Sequence, residues 1–133
     1  MVSLEGVRAS NATIATALPA GLVAVFVGAT SGIGEGSLKA FAQHAAKPRI
    51  YFVGRSQEAA ERIVTECKAL NGEASVTFVK ADISLMQNVD AVCEQIKSLE
   101  KEINLLFLSA GQLTLYDYGR CLPCEVTLAE DGD

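Results

Sequence analysis

The sequence lacks any apolar run long enough to cross a bilayer. Its longest, residues 21–29, falls well short of the roughly 20 residues that a membrane-spanning helix needs. The N-terminus also lacks a basic region followed by an apolar stretch, and Glu5 comes early, so we expect no secretory signal. Without export, the four cysteines are expected to be reduced thiols rather than a disulfide framework. These absences predict a cytoplasmic protein.

Positive charge is also scarce in this chain. Eleven lysine and arginine residues stand against sixteen aspartate and glutamate residues, which gives a formal net charge of −5. This balance argues against nucleic acid or an anionic membrane surface as a partner. The acidic excess is concentrated in residues 112–133, which hold five acidic side chains and one basic side chain.

Metal-ligating residues are few and scattered. The single histidine, His44, falls on a predicted helix without an evident partner, and Cys121 and Cys124 form an isolated C-x-x-C pair. Such a pair supplies only two of four zinc ligands, and a redox pair normally opens a helix after a strand. A thiol or metal module is therefore the minor alternative. Cys67 and Cys93 are predicted to lie on inward helix faces.

Short apolar runs alternate with helical patterns through most of the chain. The predicted strands are residues 22–27, 49–53, 75–79 and 105–108, and helices are predicted near residues 32–46, 56–70 and 84–99. Ser84 and Gln87 have the spacing of a capping box for the third helix. This order predicts an α/β domain with a doubly wound parallel sheet over residues 21–111, preceded by a short helix or arm at 1–20 and followed by an irregular acidic tail at 112–133.

A glycine-rich turn joins the first strand to the first helix. Gly28, Gly32 and Gly34 let the backbone turn sharply and approach a diphosphate, and the helix then presents free N–H groups to the anion. Thr30 and Ser31 add hydroxyl groups beside the turn. Glycines for tight strand-to-helix packing are the alternative explanation, but the strand before and the helix after favour phosphate binding.

The second strand ends in Gly54-Arg55-Ser56, where an acidic residue would bind both hydroxyls of an adenosine ribose. A guanidinium group and a hydroxyl suit a 2′-phosphate instead, so this turn favours NADP(H) over NAD(H). The missing acid also argues against an S-adenosylmethionine site. The alternative is that Arg55 is a solvated loop residue.

The third and fourth strands also end in residues suited to a nucleotide. Asp82 can accept a hydrogen bond from an adenine amino group while Ile83 packs on the ring, or Asp82 can instead cap the following helix. Ser109, Ala110 and Gly111 are small where a ribose or nicotinamide would pass, although a plain exit from a strand looks similar.

In order and spacing, these motifs resemble the N-terminal half of a short-chain dehydrogenase/reductase, and in detail its fungal members. The resemblance covers residues 20–111 and implies a Rossmann-like sheet, truncated after about four strands, in an NADP(H)-dependent oxidoreductase. The residues that it implies for cofactor binding are Gly28, Thr30, Ser31, Gly32, Ile33, Gly34, Arg55, Ser56, Asp82, Ile83, Ser109, Ala110 and Gly111.

The sequence departs from the family pattern in two places. Leu108 and Ser109 stand where the family has two asparagines, which predicts weaker support for the sheet and the cofactor ribose. The family's catalytic serine and Tyr-x-x-x-Lys pair have no counterpart, because Tyr116 is followed at that spacing by Arg120. The resemblance therefore implies a chain truncated before its catalytic residues, with a carbonyl or alcohol substrate only for the complete protein. A catalytically inactive nucleotide-binding or partner-binding fragment is the alternative.

Overall fold

The computed structural model describes residues 2–111. In this part of the chain the helices are α1 (Leu4–Ala12), α2 (Ile14–Ala17), α3 (Gly32–His44), α4 (Gln57–Leu70) and α5 (Met86–Leu99). The strands are β1 (Val23–Val27), β2 (Arg49–Gly54), β3 (Ser75–Lys80) and β4 (Leu105–Leu108). Each strand begins and ends within one residue of its predicted bounds.

The four strands form one parallel sheet in the order β3-β2-β1-β4. The chain moves outward from β1 to β3 and then returns across the sheet to β4. Right-handed crossovers place the helices of the two halves on opposite faces of such a sheet. The predicted α/β fold with a doubly wound parallel sheet is confirmed, and β1 lies at the point where the direction of winding reverses.

The main core lies between the sheet and the helices α3 and α4. Phe26 and Phe52 are almost fully buried there, and Phe26 stacks against Phe107 of β4 with ring centroids 5.5 Å apart. Cys67 of α4 is also buried in this core, as predicted. Every strand carries large apolar side chains toward this face, which fixes the register of the sheet.

The opposite face of the sheet is covered less completely. Helix α5 lies on this side, but Ile96 is its one buried residue. The prediction that Cys93 lies on an inward face is wrong, since Cys93 is exposed. Leu99 of the same helix is 55% exposed. The apolar side of α5 borders an open groove beside β4 instead of meeting another layer of side chains.

A network of four charged side chains joins α3 to α4. Arg62 donates to both carboxylate oxygens of Glu35, at 2.7 and 2.9 Å, and Lys39 bridges Glu35 and Glu66. The hydrogen bonds from Arg62, and then those from Lys39, lower the pKa of Glu35 from its ordinary 4.5 to about 2. Because Glu35 lies in the first turn of α3, the network fixes the end of the helix that faces the glycine-rich turn.

The lowered pKa of Glu35 predicts a specific loss of stability in acid. A carboxylate whose pKa falls on folding stabilises the native state above its unfolded pKa, and this contribution is lost as the pH falls through the folded value. The free energy of unfolding should therefore decline between pH 4.5 and about 2. Glu35→Gln should flatten that part of the profile, as measured by urea unfolding at several pH values. Glu94→Gln, on an exposed pair with Lys97, serves as the control and should leave the profile unchanged.

No helix within residues 2–111 is both long enough and apolar enough to cross a membrane.

Candidate functional site

A cleft of about 750 Å³ opens at the carboxyl edge of the sheet, where all four strands end. Parallel strands bring their C-terminal turns to one edge, and ligands of open α/β sheets bind there. Twelve of the thirteen predicted cofactor-binding residues line this cleft: Gly28, Thr30, Ser31, Gly32, Ile33, Gly34, Arg55, Asp82, Ile83, Ser109, Ala110 and Gly111. The structure thus brings residues from four separate turns to one site.

Ser56 is the predicted residue that does not line the cleft. Its hydroxyl oxygen accepts a hydrogen bond from the backbone N–H of Ala59 at 3.2 Å, so Ser56 is the N-cap of α4. This cap holds the backbone next to Arg55 in place.

Close packing explains two of the three glycines of the turn after β1. Gly28 has φ +82°, and a Cβ atom there would lie 2.6 Å from the backbone of Ala110. A Cβ atom on Gly34 would lie 2.6 Å from the carbonyl oxygen of Gly28 and would also meet Ser109. Glycine therefore allows the start of α3 and the end of β4 to lie directly against the turn.

The start of α3 presents unpaired backbone donors to the cleft. Its N-cap, Ser31, is extended and its side chain makes no capping hydrogen bond. The N–H groups of Gly32, Ile33 and Gly34 have no partner within the helix, by the geometry of any helix N-terminus. Ile33 is 80% exposed beside them. An anion in the cleft would accept hydrogen bonds from these donors and lie at the positive end of the helix dipole.

Ser109 links the end of β4 to the end of β1. Its hydroxyl lies 3.3 Å from the carbonyl oxygens of both Val27 and Gly28, to which it donates. Its backbone N–H also donates to the Val27 carbonyl oxygen, at 2.9 Å. The sequence predicts weaker support where asparagine is replaced, but the serine hydroxyl retains a bridge to the glycine-rich turn. The close approach of Gly34 leaves little room for a longer side chain here.

We expect Ser109→Ala to lower the free energy of unfolding by about 1 kcal/mol, because two backbone carbonyls lose their shared hydroxyl donor. Urea unfolding measures this loss. Ser98→Ala is the matched control, since the Ser98 hydroxyl donates to the carbonyl of Gln95 on the exposed side of α5. Equal effects of the two substitutions would contradict a bridging role for Ser109.

Asp82 is held in a tight turn after β3. Its Oδ1 atom accepts hydrogen bonds from the Ser84 hydroxyl at 2.8 Å and the Ser84 backbone N–H at 3.1 Å. These bonds, with a smaller contribution from the charge of Arg55, lower the pKa of Asp82. Asn88 adds a hydrogen bond to the Asp82 carbonyl oxygen. Asp82 thus presents an ionised carboxylate at the cleft, opposite the cationic end of β2.

The predicted capping box at Ser84 is wrong. Helix α5 begins at Met86, and its N-cap, Leu85, makes no side-chain capping bond. Ser84 lies in the preceding turn instead, where its hydroxyl and backbone N–H both donate to Asp82 Oδ1, a contact typical of an aspartate two residues earlier.

Four cleft residues were missed by the sequence predictions, namely Val53, Gly54, Ala81 and Ser84. Each is within two residues of a predicted one, so extending every predicted turn slightly would have found them. Residues 2–111 contain no group of three histidine, cysteine or acidic side chains that could hold a metal. The candidates Tyr116, Arg120, Cys121 and Cys124 lie outside the described residues.

Known proteins are similar to this chain in both sequence and fold. A family model described as short chain dehydrogenase matches residues 22–122. The oxidoreductase AN1596 of Emericella nidulans is 43% identical over 115 residues, which cover 86% of this chain and 34% of the relative. The short-chain dehydrogenase/reductase SAT2 of Stachybotrys chartarum is 36% identical over 109 residues, covering 77% of this chain and 30% of the relative.

A solved structure of L-sorbose reductase from Gluconobacter frateurii, complexed with NADPH and L-sorbose, has the same arrangement of elements. It is 30% identical with a TM-score of 0.62, covering 70% of this chain and 34% of the reductase. The chain thus spans about one third of the length of the relatives that it matches. The family match, the similarity to fungal oxidoreductases and the cleft at the carboxyl edge agree with one another, and the chain belongs to the short-chain dehydrogenase family.

Proposed function

We propose that the cleft binds NADP(H) and that the chain is the cofactor-binding part of an NADP(H)-dependent oxidoreductase. The observation that carries this proposal is that one cleft is lined both by the N-terminus of α3, which suits an anion, and by Arg55 at the end of β2. The helix start suits the diphosphate that NAD(H) and NADP(H) share, and Arg55 suits the 2′-phosphate that NADP(H) alone of the two carries.

The glycine-rich turn suits the cofactor diphosphate. Gly28 and Gly34 keep the backbone free of side-chain atoms, and the first residues of α3, whose N–H groups have no partner within the helix, line the cleft. The hydroxyl groups of Thr30 and Ser31 lie in the same lining and offer further donors. Ser31 is suited to this role because its side chain is not used as a helix cap.

Arg55 suits the 2′-phosphate of NADP(H). A guanidinium group can bind a phosphate through two parallel hydrogen bonds, and the N-cap at Ser56 fixes the backbone that follows it. No acidic side chain follows β2 directly to repel the phosphate. The L-sorbose reductase similar to this chain was solved with NADPH, which is consistent with the same choice of cofactor.

The other strand ends suit the remaining parts of the cofactor. Asp82 has a fixed, ionised carboxylate that can accept from an adenine amino group, and Ile83 lines the cleft beside it. Ser109, Ala110 and Gly111 leave the other end of the cleft free of large side chains. Their small size fits the passage of a ribose and a nicotinamide ring.

When bound, NADP(H) supplies or accepts a hydride, and the residues of this chain bind and orient it. The sequence contains no Tyr-x-x-x-Lys, so we assign proton transfer to none of its residues. Reduction of a carbonyl, or oxidation of an alcohol, is proposed only for an oxidoreductase with the full length of the relatives, of which this chain matches about one third. The second candidate function is nucleotide binding without catalysis, and the absence of Tyr-x-x-x-Lys from this sequence favours it. We also propose that the protein is cytoplasmic and does not bind nucleic acid.

Titration with NADPH tests the proposed site. The purified chain should give a saturable change in nicotinamide fluorescence, and 2′,5′-ADP should compete better than 5′-AMP because it carries the 2′-phosphate. The absence of a saturable signal up to millimolar NADPH would overturn the proposal. Turnover of a simple aldehyde or ketone above the buffer background would exclude the second candidate.

A further inference from the structure

Thr30 of the glycine-rich turn packs directly against Gly54 at the end of β2. A Cβ atom on Gly54 would overlap the Cγ2 methyl group of Thr30, and it would also lie 3.3 Å from Oγ1 and 3.4 Å from Cβ of that residue. Both residues line the cleft. The contact therefore joins the turn that follows β1 to the strand end that carries Arg55.

The backbone conformation at position 54 does not require glycine. Gly28 and Gly32 of the glycine-rich turn have positive φ angles, but Gly54 does not. Gly54 pairs in register with Lys80 of β3, as an ordinary strand residue does. An alanine at this position would therefore have an unstrained backbone, and the contact with Thr30 is what excludes it.

Hydrogen bonds hold the strand end on both sides of this contact. The Gly28 N–H donates to the Val53 carbonyl oxygen at 3.1 Å. The Ala81 N–H donates to the Gly54 carbonyl oxygen at 2.9 Å. The end of β2 is thus bonded to the turns of both neighbouring strands. A side chain at position 54 would therefore displace the Thr30 side chain and leave the strand end in place.

Rotation about the Cα–Cβ bond of Thr30 determines the result of that displacement. The substituents on Cβ occupy three staggered positions about this bond. One of the two alternative rotamers puts Oγ1 where the methyl group now lies, which renews the overlap. The other turns the Cβ hydrogen toward position 54, and it moves the hydroxyl by about 120° from its present place. Relief of the overlap therefore reorients the Thr30 hydroxyl.

We propose that Gly54 is a positioning residue for the cofactor and that it acts through Thr30. The missing side chain of Gly54 leaves room for the Thr30 methyl group, and the packed methyl group fixes the hydroxyl at one place on the cleft wall. This inference rests on the proposed function, because the ligand of the hydroxyl is the adenosine ribose of NADP(H). The ribose joins the diphosphate, at the start of α3, to the 2′-phosphate, at Arg55.

Four proteins test the coupling of the two residues: the native chain, Gly54→Ala, Thr30→Ser and the double variant. Serine keeps the hydroxyl and lacks the methyl group, so it leaves space for an alanine at position 54. Gly54→Ala should weaken NADPH binding by about threefold to tenfold, the effect of losing one neutral hydrogen bond. The double variant should bind NADPH within about twofold of Thr30→Ser, as measured by fluorescence titration.

The same titrations contain the results that would overturn the proposal. An equal loss of affinity on adding Gly54→Ala to the native chain and to Thr30→Ser would show that the alanine obstructs the cofactor directly. Unchanged binding in Gly54→Ala would show that the contact does not position the hydroxyl. Gly72→Ala is the matched control, because a Cβ atom on Gly72 meets nothing within 4 Å, and it should leave binding unchanged.

Thr30→Val tests whether the positioned group is the hydroxyl. Valine has nearly the same shape as threonine, with a methyl group in place of Oγ1, so the packing against Gly54 is kept. This variant should weaken NADPH binding by about as much as Gly54→Ala does. Binding as tight as that of the native chain would contradict the proposal.

Thermal unfolding without nucleotide separates this inference from the proposed function. Gly54→Ala should lower the melting temperature of the native chain by about 4 °C, and that of Thr30→Ser by no more than about 1 °C. If the native chain binds NADPH and this coupling is absent, the inference fails alone. If the native chain does not bind NADPH, both proposals fail, and the thermal coupling then reports a packing contact only.

Discussion

Replacing Arg55 with alanine is expected to weaken NADPH binding by about tenfold to a hundredfold, because a hydrogen-bonded charge contact is worth roughly 1.5–3 kcal/mol. Binding of NADH should change by no more than about twofold, since NADH lacks the phosphate that Arg55 would contact. Fluorescence titration with the two cofactors measures both effects. The ratio of the two dissociation constants is the informative quantity.

The charges around Arg55 determine the direction of this effect. Asp82 lies close enough for the charge of Arg55 to lower its pKa, and its carboxylate is held in the ionised form by Ser84. Without the guanidinium group, a 2′-phosphate would lose its cation and keep the nearby anion. The loss of affinity in Arg55→Ala should therefore affect NADPH, and it should be smaller at high salt, where charge repulsion is screened.

Arg8→Ala is the control for net charge. Arg8 lies on α1 and lines a separate surface pocket with Gln43 and His44, so its removal changes the total charge equally without touching the cleft. An equal loss of NADPH and NADH affinity in Arg55→Ala would indicate that Arg55 acts by supporting the turn. No loss of either would identify Arg55 as a solvated loop residue.

The backbone of the site is predictable from sequence because it depends on local patterns. Continuous apolar runs define β1 and β4, which must be buried on at least one face. Parallel pairing then brings the glycine-rich turn and Ser109 to the same edge. These steps need no knowledge of side-chain contacts. Twelve of the predicted site residues accordingly meet in one cleft.

The incorrect predictions concern contacts of individual side chains, which a local sequence pattern does not determine. Ser84 has the spacing of a cap, but its hydroxyl and backbone N–H donate to Asp82 in a turn, and α5 begins later than expected. Cys93 follows the helical period of its apolar neighbours, yet the period does not show whether a second layer meets that side of the helix. The bridge from Ser109 to Val27 also depends on a contact between residues far apart in sequence.

Gly34→Ala and Gly36→Ala should have opposite effects on stability although they lie two residues apart on α3. A Cβ atom on Gly34 would lie 2.6 Å from the Gly28 carbonyl oxygen and 2.9 Å from the Cα atom of Ala29. Both are backbone atoms that cannot move aside without shifting the turn. A Cβ atom on Gly36 would meet nothing within 4 Å.

We therefore expect Gly34→Ala to lower the free energy of unfolding by about 1–3 kcal/mol, the usual cost of overpacking. Gly36→Ala should raise it by about 0.5–1 kcal/mol, because alanine loses less backbone entropy in a helix than glycine does. Thermal and urea unfolding of the two variants measure the difference. A Gly34→Ala variant as stable as Gly36→Ala would contradict the close approach at Gly34.

Cofactor binding separates a local shift of the turn from general destabilisation. The contact at Gly34 joins the first N–H groups of α3 to Gly28 and Ser109, so moving the helix by even a fraction of an ångström misaligns the donors for the diphosphate. Under conditions where both variants are fully folded, Gly34→Ala should bind NADPH and NADH more weakly by similar factors, because both cofactors carry the diphosphate. Gly36→Ala should bind both as the unmodified chain does. Arg55→Ala, by contrast, should weaken the binding of NADPH alone. Comparing Gly34→Ala with Arg55→Ala therefore distinguishes the diphosphate contact from the 2′-phosphate contact within one cleft.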